Sequence, residues 1–150
     1  MKKEKGFTLV ELLVVVSVIA ILASVVLVNL RGARERAMDT RVISSLGQVR
    51  AVAEIIHSRT GSYFNLCGMT PIDSLASTTV DGLVVLRDDI NANNGAAGHA
   101  TCFTPSPHTE YCVLSALNET PAAFWCINSA GRSARVTTTA GCTATTTTCM

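Results

Sequence analysis

One apolar run near the N-terminus, Phe7 to Leu30, most constrains what this chain can fold into. Of its 24 residues 19 are apolar, and only Glu11 is charged. As an α-helix rising about 1.5 Å per residue, the run is roughly 36 Å long, enough to cross a hydrocarbon core of about 30 Å. It is too long for a secretory signal peptide, and no small-residue cleavage site closes it. The run therefore predicts a transmembrane helix.

Charges and cysteines indicate on which side of the membrane the rest of the chain lies. Three lysines in residues 1–6 favour a cytoplasmic N-terminus, although three arginines in residues 31–36 weaken the asymmetry. All six cysteines lie after residue 66, which favours an oxidising, extracytoplasmic location. The formal net charge of +1 excludes a strongly cationic nucleic-acid binder, and we expect no sequence-specific nucleic-acid binding.

Glu11 is the unusual residue of the apolar run. A carboxylate at the centre of a membrane helix costs about 2.5–3.5 kcal/mol, and less near its end. The residues from Phe7 to Leu30 include no Lys or Arg, so a cationic partner must come from elsewhere. The free amino group of a cleaved Phe7 in another copy would serve. Alternatively, Glu11 reaches the lipid headgroups.

The residues around Glu11 resemble a known family signature. The segment Lys5-Gly6-Phe7-Thr8-Leu9-Val10-Glu11 is similar to the N-terminus of type IV pilins and type II secretion pseudopilins. The shared features are a short charged leader, Gly before the cut, Phe first in the mature chain, Glu at its fifth position and a long apolar helix. The resemblance covers about the first 30 residues. It implies that a prepilin peptidase cuts between Gly6 and Phe7 and that Phe7 is then N-methylated.

The resemblance also implies an assembly and a location. The chain would be a homo-oligomeric subunit of a helical filament, in which Glu11 neutralises the amino group of a neighbour's Phe7. As a precursor it would span the inner, cytoplasmic membrane once, with its helix in lipid and its C-terminal domain outside. An inner-membrane assembly platform would then build it into a cell-surface filament.

Beyond the membrane run the sequence predicts a longer helix and a small sheet. An amphipathic stripe of period near 3.6 follows the run, and it consists of Met38, Val42, Leu46, Val49, Ala53 and Ile56. Gly61 provides a stop. Strands are predicted over 111–117, 124–129 and 134–139, and residues 80–87 form either a strand or a helical turn.

We expect a leader at 1–6, a membrane helix at 7–30, an amphipathic helix at 31–60 and a disulfide-stapled domain at 61–150. The fold class is α+β, with a long helix packed on a small antiparallel sheet, as in pilins.

The six cysteines allow 15 pairings. A hairpin between the first two strands would place Cys112 opposite Cys126. Proximity along the chain favours Cys142–Cys149, and the remaining pair is then Cys67–Cys102. A domain of this size with few large apolar side chains needs such staples.

Two metal sites are conceivable from the sequence. Asp89, Asn91 and Asn93 alternate as in an oxygen-ligand calcium loop, but the composition is also that of an ordinary turn. Cys102, His108 and Cys112 offer zinc ligands at loose spacing, without a CxxC motif. We expect no cofactor. His57, His99 and His108 are scattered, and no motif places a base beside a nucleophile, so we expect no enzyme.

Three functions remain open at this stage. The first is a filament subunit, either a type IV pilin or a pseudopilin of a type II secretion system. The second is a membrane-anchored binding module that is never cleaved. The third is a secreted disulfide-rich domain whose N-terminus is only a signal peptide. The last two leave the arrangement of Gly6, Phe7 and Glu11 unexplained.

Overall fold

The computed structural model describes residues 6–67, 82–95, 100–119, 121–143 and 145–150. It contains a long N-terminal helix and a small antiparallel sheet with disulfides, so the predicted α+β class is confirmed. The chain divides into two compact units, Met1–Arg34 and Glu35–Met150. Residues 1–5 of the expected leader, most of the loop before residue 80 and His99 lie outside the described residues.

The first helix, α1, runs from Leu9 to Thr60 over 52 residues. Its apolar part is long and apolar enough, by length and composition, to cross a membrane. The helix ends at Gly61, which adopts a left-handed φ of 71° and donates its N–H to the carbonyl of His57 at 2.8 Å. Glycine favours this conformation because it has no Cβ. The predicted stop is therefore confirmed.

The amphipathic stripe of α1 forms one side of the main core of the second unit. Val42, Leu46, Val49 and Ala53 are fully buried, and Ile56 nearly so. Met38, the first residue of the predicted stripe, is half-buried. These side chains pack with apolar side chains from the sheet and from a second helix. The 3.6-residue period thus selected the buried face correctly.

The second helix, α2, spans Leu83–Asn93 and resolves the ambiguity over residues 80–87 for the part that is described. Gly82 precedes it with a φ of 101°. Leu83 and Ile90 lie seven residues apart, on one face, and both are fully buried in the main core. Helical spacing of these two residues outweighs the strand preference of the neighbouring valines, because only a helix buries both on one face.

Four antiparallel strands form the sheet, in the order β1-β2-β3-β4. They are β1 Thr101–Phe103, β2 Cys112–Ala116, β3 Phe124–Asn128 and β4 Ser133–Val136. Strands β2 and β3 match the predicted strands with shorter ends, and β4 begins one residue earlier and ends three residues earlier than predicted. Strand β1 was not predicted. Three residues are too few to show an alternating pattern.

The hairpin register differs from the expected one. Cys112 lies opposite Asn128, and Cys126 lies opposite Leu114, so the two cysteines are diagonal neighbours on one face of the sheet. Their sulfurs are 3.3 Å apart but are not bonded to each other.

Two of the three expected disulfides are wrong as a result. The structure joins Cys112 to Cys142 and Cys126 to Cys149, whereas Cys67 is joined to Cys102 as expected. The C-terminal tail turns back on itself, because Gly141 accepts hydrogen bonds from the N–H groups of Thr148 and Cys149. The Asn128 amide of β3 holds the tail against the sheet by donating to the Thr147 carbonyl at 2.6 Å. Each tail cysteine therefore meets a strand cysteine rather than the other tail cysteine.

Candidate functional site

The segment before α1 carries the expected cleavage point. Gly6, Phe7 and Thr8 lie outside regular secondary structure. Phe7 is 86% exposed, and a Cβ added at Gly6 would meet nothing within 4 Å. The peptide bond between Gly6 and Phe7 is thus in an accessible, non-helical stretch, which is the kind of backbone that proteases favour.

Glu11 has a partner within its own chain that the sequence analysis missed. Its Oε2 accepts a hydrogen bond from the Thr8 N–H at 2.9 Å and another from the Thr8 hydroxyl at 2.8 Å. In return, the Glu11 N–H donates to Thr8 Oγ1 at 3.3 Å. This is a capping box, in which the residue before the helix and the third helical residue satisfy each other's free N–H groups. The signal was visible as Thr-x-x-Glu in front of an apolar run.

The capping box uses only one oxygen of the carboxylate. Both Thr8 donors go to Oε2, and Oε1 accepts no hydrogen bond from the residues that the structure describes. The ion pairs found among those residues join Arg41 with Asp89, Arg87 with Asp88 and Arg135 with Glu119. Within the described part of the chain, Oε1 of Glu11 is therefore open to a second donor.

The first unit presents a continuous apolar surface. Between Phe7 and Leu30, every large apolar side chain that the structure describes is between 50% and 86% exposed. Ser17 and Ser24 lie in the same stretch, and each donates its hydroxyl to a carbonyl of its own helix at 2.7 Å. Apart from Glu11, the described part of this stretch thus offers little polarity to a partner.

The weak calcium candidates lie on α2, where they hold the fold together. Asp89 accepts hydrogen bonds from Arg41 and Ser45 of α1, both at 2.7 Å. Asn93 donates its amide to the Asp89 carbonyl at 2.7 Å, and the Asn91 side chain accepts the Ala100 N–H at 3.0 Å. Asp89 therefore pairs with a guanidinium and docks α2 on α1, whereas Asn93 bonds within α2 and Asn91 bonds to Ala100.

The three residues considered as zinc ligands, Cys102, His108 and Cys112, make other contacts in the structure. Cys102 and Cys112 belong to two different disulfides. The Nδ1 of His108 lies 2.9 Å from the carbonyl oxygen of Thr104. The three residues therefore form no shared site in this state.

A group of aromatic and acidic side chains surrounds the end of α1. Tyr63 stacks on His57 and meets the ring of Tyr111 edge-on, and its hydroxyl donates to the Glu54 carboxylate at 3.2 Å. Burial, followed by the negative charge of Glu54, raises the pKa of Tyr63 to about 12. Burial also raises the pKa of Tyr111. These groups stay protonated at neutral pH and serve packing.

Comparison with known proteins finds relatives of the N-terminal segment. Residues 1–27 match the family model of the prokaryotic N-terminal methylation motif. The chain is 46% identical over 63 residues to the type IV wide pilus major component PilA4 of Thermus thermophilus, covering 42% of this chain and 48% of that protein. It is 34% identical over 127 residues to a probable minor fimbrial protein of Dichelobacter nodosus, covering 82% of this chain and 76% of that protein.

A further relative is the type II secretion system core protein G of Klebsiella pneumoniae. That match is 44% identical over 46 residues and covers 31% of this chain and 33% of that protein. The chain thus spans about half the length of the Thermus protein and about three quarters of the Dichelobacter protein. No solved structure matches the chain.

Proposed function

The chain belongs to the type IV pilin family, and from this premise we propose that it is a structural subunit of a type IV pilus-like filament. A prepilin peptidase would cut between Gly6 and Phe7 and N-methylate Phe7, and the subunit would then assemble through its N-terminal helix. The observation that carries the proposal is the exposed apolar surface that the described side chains form between Phe7 and Leu30, in which Glu11 is the one charged residue.

An exposed apolar surface of this size is unfavourable in water and has to be covered by lipid or by protein. Each fully buried Val, Leu or Ile side chain contributes about 1.5–3 kcal/mol relative to exposure in water. In the precursor, lipid of the inner membrane would cover the surface, with the second unit outside. After extraction from the membrane, the same surface on other copies would cover it. A heterologous contact that does not close on itself generates a helical fibre.

Glu11 would set the register between copies. Cleavage before Phe7 would create an amino group at the start of the apolar helix. In the filament, Oε1 of Glu11 in a neighbouring copy would accept a hydrogen bond from this amino group. In a low-dielectric filament core such a charge-assisted contact is short and strong. A misplaced subunit would leave both charges unpaired and buried, at a cost of about 3–5 kcal/mol, so the pair selects the correct axial position.

A pilus is favoured over a secretion pseudopilus by the extent of the similarities. The match to the type II secretion protein covers only 46 residues, whereas the match to a minor fimbrial protein runs over 127 residues and into the disulfide-bonded domain. The Thermus and Dichelobacter relatives are a pilus component and a fimbrial protein, and we infer that this chain likewise is not an enzyme. Its partners would be other copies, the peptidase, an assembly platform and membrane lipid.

The test is to shear cells, pellet the filaments and measure the intact mass without a reducing agent. We expect a chain that begins at methylated Phe7 and is six hydrogens lighter than the thiol form, because it holds three disulfides. The same mass confined to membranes would favour a pseudopilin. A chain retaining Met1 or Lys2 would refute processing and leave an anchored module.

Glu11→Ala, in a strain with no other copy, tests the register contact separately. We expect processed subunits to remain in the membrane fraction and sheared filaments to be lost. Glu35→Gln is the matched control, since it removes a carboxylate from the same helix outside the apolar run. Normal assembly of Glu11→Ala would contradict the assembly role.

A further inference from the structure

Two exposed arginines follow the apolar run of the first unit. Arg31 comes directly after Leu30, and Arg34 follows three residues later on α1. Both side chains are exposed, and within the described part of the chain neither forms an ion pair or a side-chain hydrogen bond. Glu35 lies one helical turn beyond Arg31, but it is not among the carboxylates that pair in the described ranges. Two positive charges at the end of the apolar run are therefore available to a partner outside the chain.

Helical geometry places these two arginines on the same side of α1. Residues three apart on a helix are neighbours, with about 5–6 Å between their Cβ atoms. The two long side chains of Arg31 and Arg34 can therefore reach one group that lies between them. Arg36 comes two residues after Arg34, over which a helix turns by about 200°, so it lies on a different side of the helix.

The position of the pair along α1 corresponds to the thickness of a membrane. The 19 residues from Leu12 to Leu30 are uncharged, and at about 1.5 Å per residue they extend about 28 Å. A hydrocarbon core is about 30 Å thick. In the proposed precursor, with Glu11 at one boundary of this core, Arg31 and Arg34 therefore lie in the headgroup layer at the other boundary.

The chemistry of this position favours an anionic phosphate as the partner. Basic residues are normally scarce on the outer side of a membrane span, so two exposed arginines there require a negatively charged group beside them. A planar guanidinium donates two parallel hydrogen bonds to phosphate oxygens. A zwitterionic headgroup such as phosphatidylcholine carries its own cation, whereas phosphatidylglycerol leaves the charge of its phosphate to the arginines.

We propose that Arg31 and Arg34 together bind the phosphate group of one anionic phospholipid at the outer face of the membrane. The proposal rests on the membrane-spanning precursor of the proposed function, and it names the lipid that this precursor holds. The acyl chains of the lipid lie along the apolar run that ends at Leu30, and the contact fixes the depth of the helix before assembly. Extraction of the subunit into a filament then has to release this lipid.

The experiment uses the full chain in detergent micelles that contain equal amounts of phosphatidylglycerol and phosphatidylcholine. Native mass spectrometry identifies the lipids that each chain retains. Each basic residue near an anionic surface strengthens binding by about fivefold, so we expect one retained lipid per chain and a preference of roughly 25-fold for phosphatidylglycerol. Arg31→Gln/Arg34→Gln should retain the two lipids about equally. Equal retention by the wild-type chain would overturn the proposal.

A charge-matched variant and a competing anion test whether the site is specific. Arg36→Gln/Arg59→Gln removes two other exposed arginines of α1 and should keep the preference for phosphatidylglycerol. Equal loss of the preference in both double variants would show general attraction between charges and refute the site. Inorganic phosphate in excess should not displace the lipid, because it lacks acyl chains. Displacement would show a site for the free anion and refute the assignment to lipid.

Flotation with phosphatidylcholine vesicles separates this proposal from the proposed function. The wild-type chain and Arg31→Gln/Arg34→Gln should both float, because the apolar run inserts the helix without the arginines. A wild-type chain that floats but shows no lipid preference in micelles would overturn only the headgroup site. A wild-type chain that does not float would overturn the membrane-spanning precursor, and this proposal with it.

Discussion

Asn118 donates two hydrogen bonds to one carboxylate oxygen of Asp39, from its backbone N–H at 2.7 Å and from its side-chain amide at 2.8 Å. The same amide donates to the Asn93 carbonyl at 2.8 Å. Asp39 lies on α1, Asn93 ends α2 and Asn118 follows β2. One amide side chain thus joins both helices to the sheet, at a carboxylate on a residue that is only 7% exposed.

Removing this carboxylate should destabilise the second unit. We expect Asp39→Ala to lower the free energy of unfolding by about 1.5–3 kcal/mol, because two partly buried donors of Asn118 lose a charged acceptor. Asp39→Asn should cost less, since an amide oxygen can still accept from both N–H groups. Denaturant unfolding of the full chain in detergent, with disulfides intact, measures both. Ser44→Ala, an exposed change on the same helix, should stay within about 0.5 kcal/mol; equal effects for Ser44→Ala and Asp39→Ala would contradict the prediction.

The raised pKa of Tyr63 predicts a loss of stability at alkaline pH. Tyr63 is protonated in the fold up to about pH 12, while the unfolded side chain ionises near its ordinary pKa of 10.0. The folded state therefore holds the proton more tightly, and the stabilising effect is complete below pH 10 and lost as the pH rises from about 10 to 12. Ultraviolet titration of the folded chain should show no normal phenolate step.

Glu54→Gln is the informative variant for this titration. Removing the negative charge should move the Tyr63 ionisation towards its ordinary value while the burial effect remains. Tyr111 should still ionise late, since burial is the main cause of its shift. A normal phenolate step in the folded wild-type chain, or no change in Glu54→Gln, would contradict this account.

Alanine substitution should disturb the fold at Gly141 but stabilise it at Gly47. A Cβ at Gly141 would lie 2.5 Å from the backbone nitrogen of Met150, whereas one at Gly47 would meet nothing within 4 Å. Gly141→Ala should therefore displace the tail and reduce formation of the Cys126–Cys149 disulfide, detected as free thiol in the purified chain. Gly47→Ala should raise the free energy of unfolding by about 0.5–1 kcal/mol, because alanine is the better helix former. Full disulfide formation in Gly141→Ala would show that the tail adapts.

Features of the fold that depend on residues close together in the sequence could be predicted, whereas features that depend on distant residues could not. The long apolar run and the buried stripe of α1 depend on local sequence patterns, which the sequence displays directly. The burial of Leu83 and Ile90 on one face of a helix depends on a core built from distant residues. From the sequence alone, the nearby valines therefore favoured a strand as much as a helix. Cysteine pairing depends on the register of β2 and β3 and on the path of the tail, and neither is encoded in sequence spacing. The contact between Thr8 and Glu11 was local, and its motif was available to sequence analysis.

The Thr8 hydroxyl should position Glu11 for assembly. Thr8→Val keeps the shape of the side chain but removes the hydroxyl that bonds Glu11 Oε2, whereas Thr8→Ser keeps it. Loss of a cap contact of about 1 kcal/mol corresponds to roughly a fivefold change in the population of the positioned carboxylate. We expect fewer sheared filaments from Thr8→Val than from Thr8→Ser, with the mature N-terminus at Phe7 in both, as checked by intact mass. Equal filament yields from the two variants, alongside a defect in Glu11→Ala, would show that Glu11 acts without the capping box.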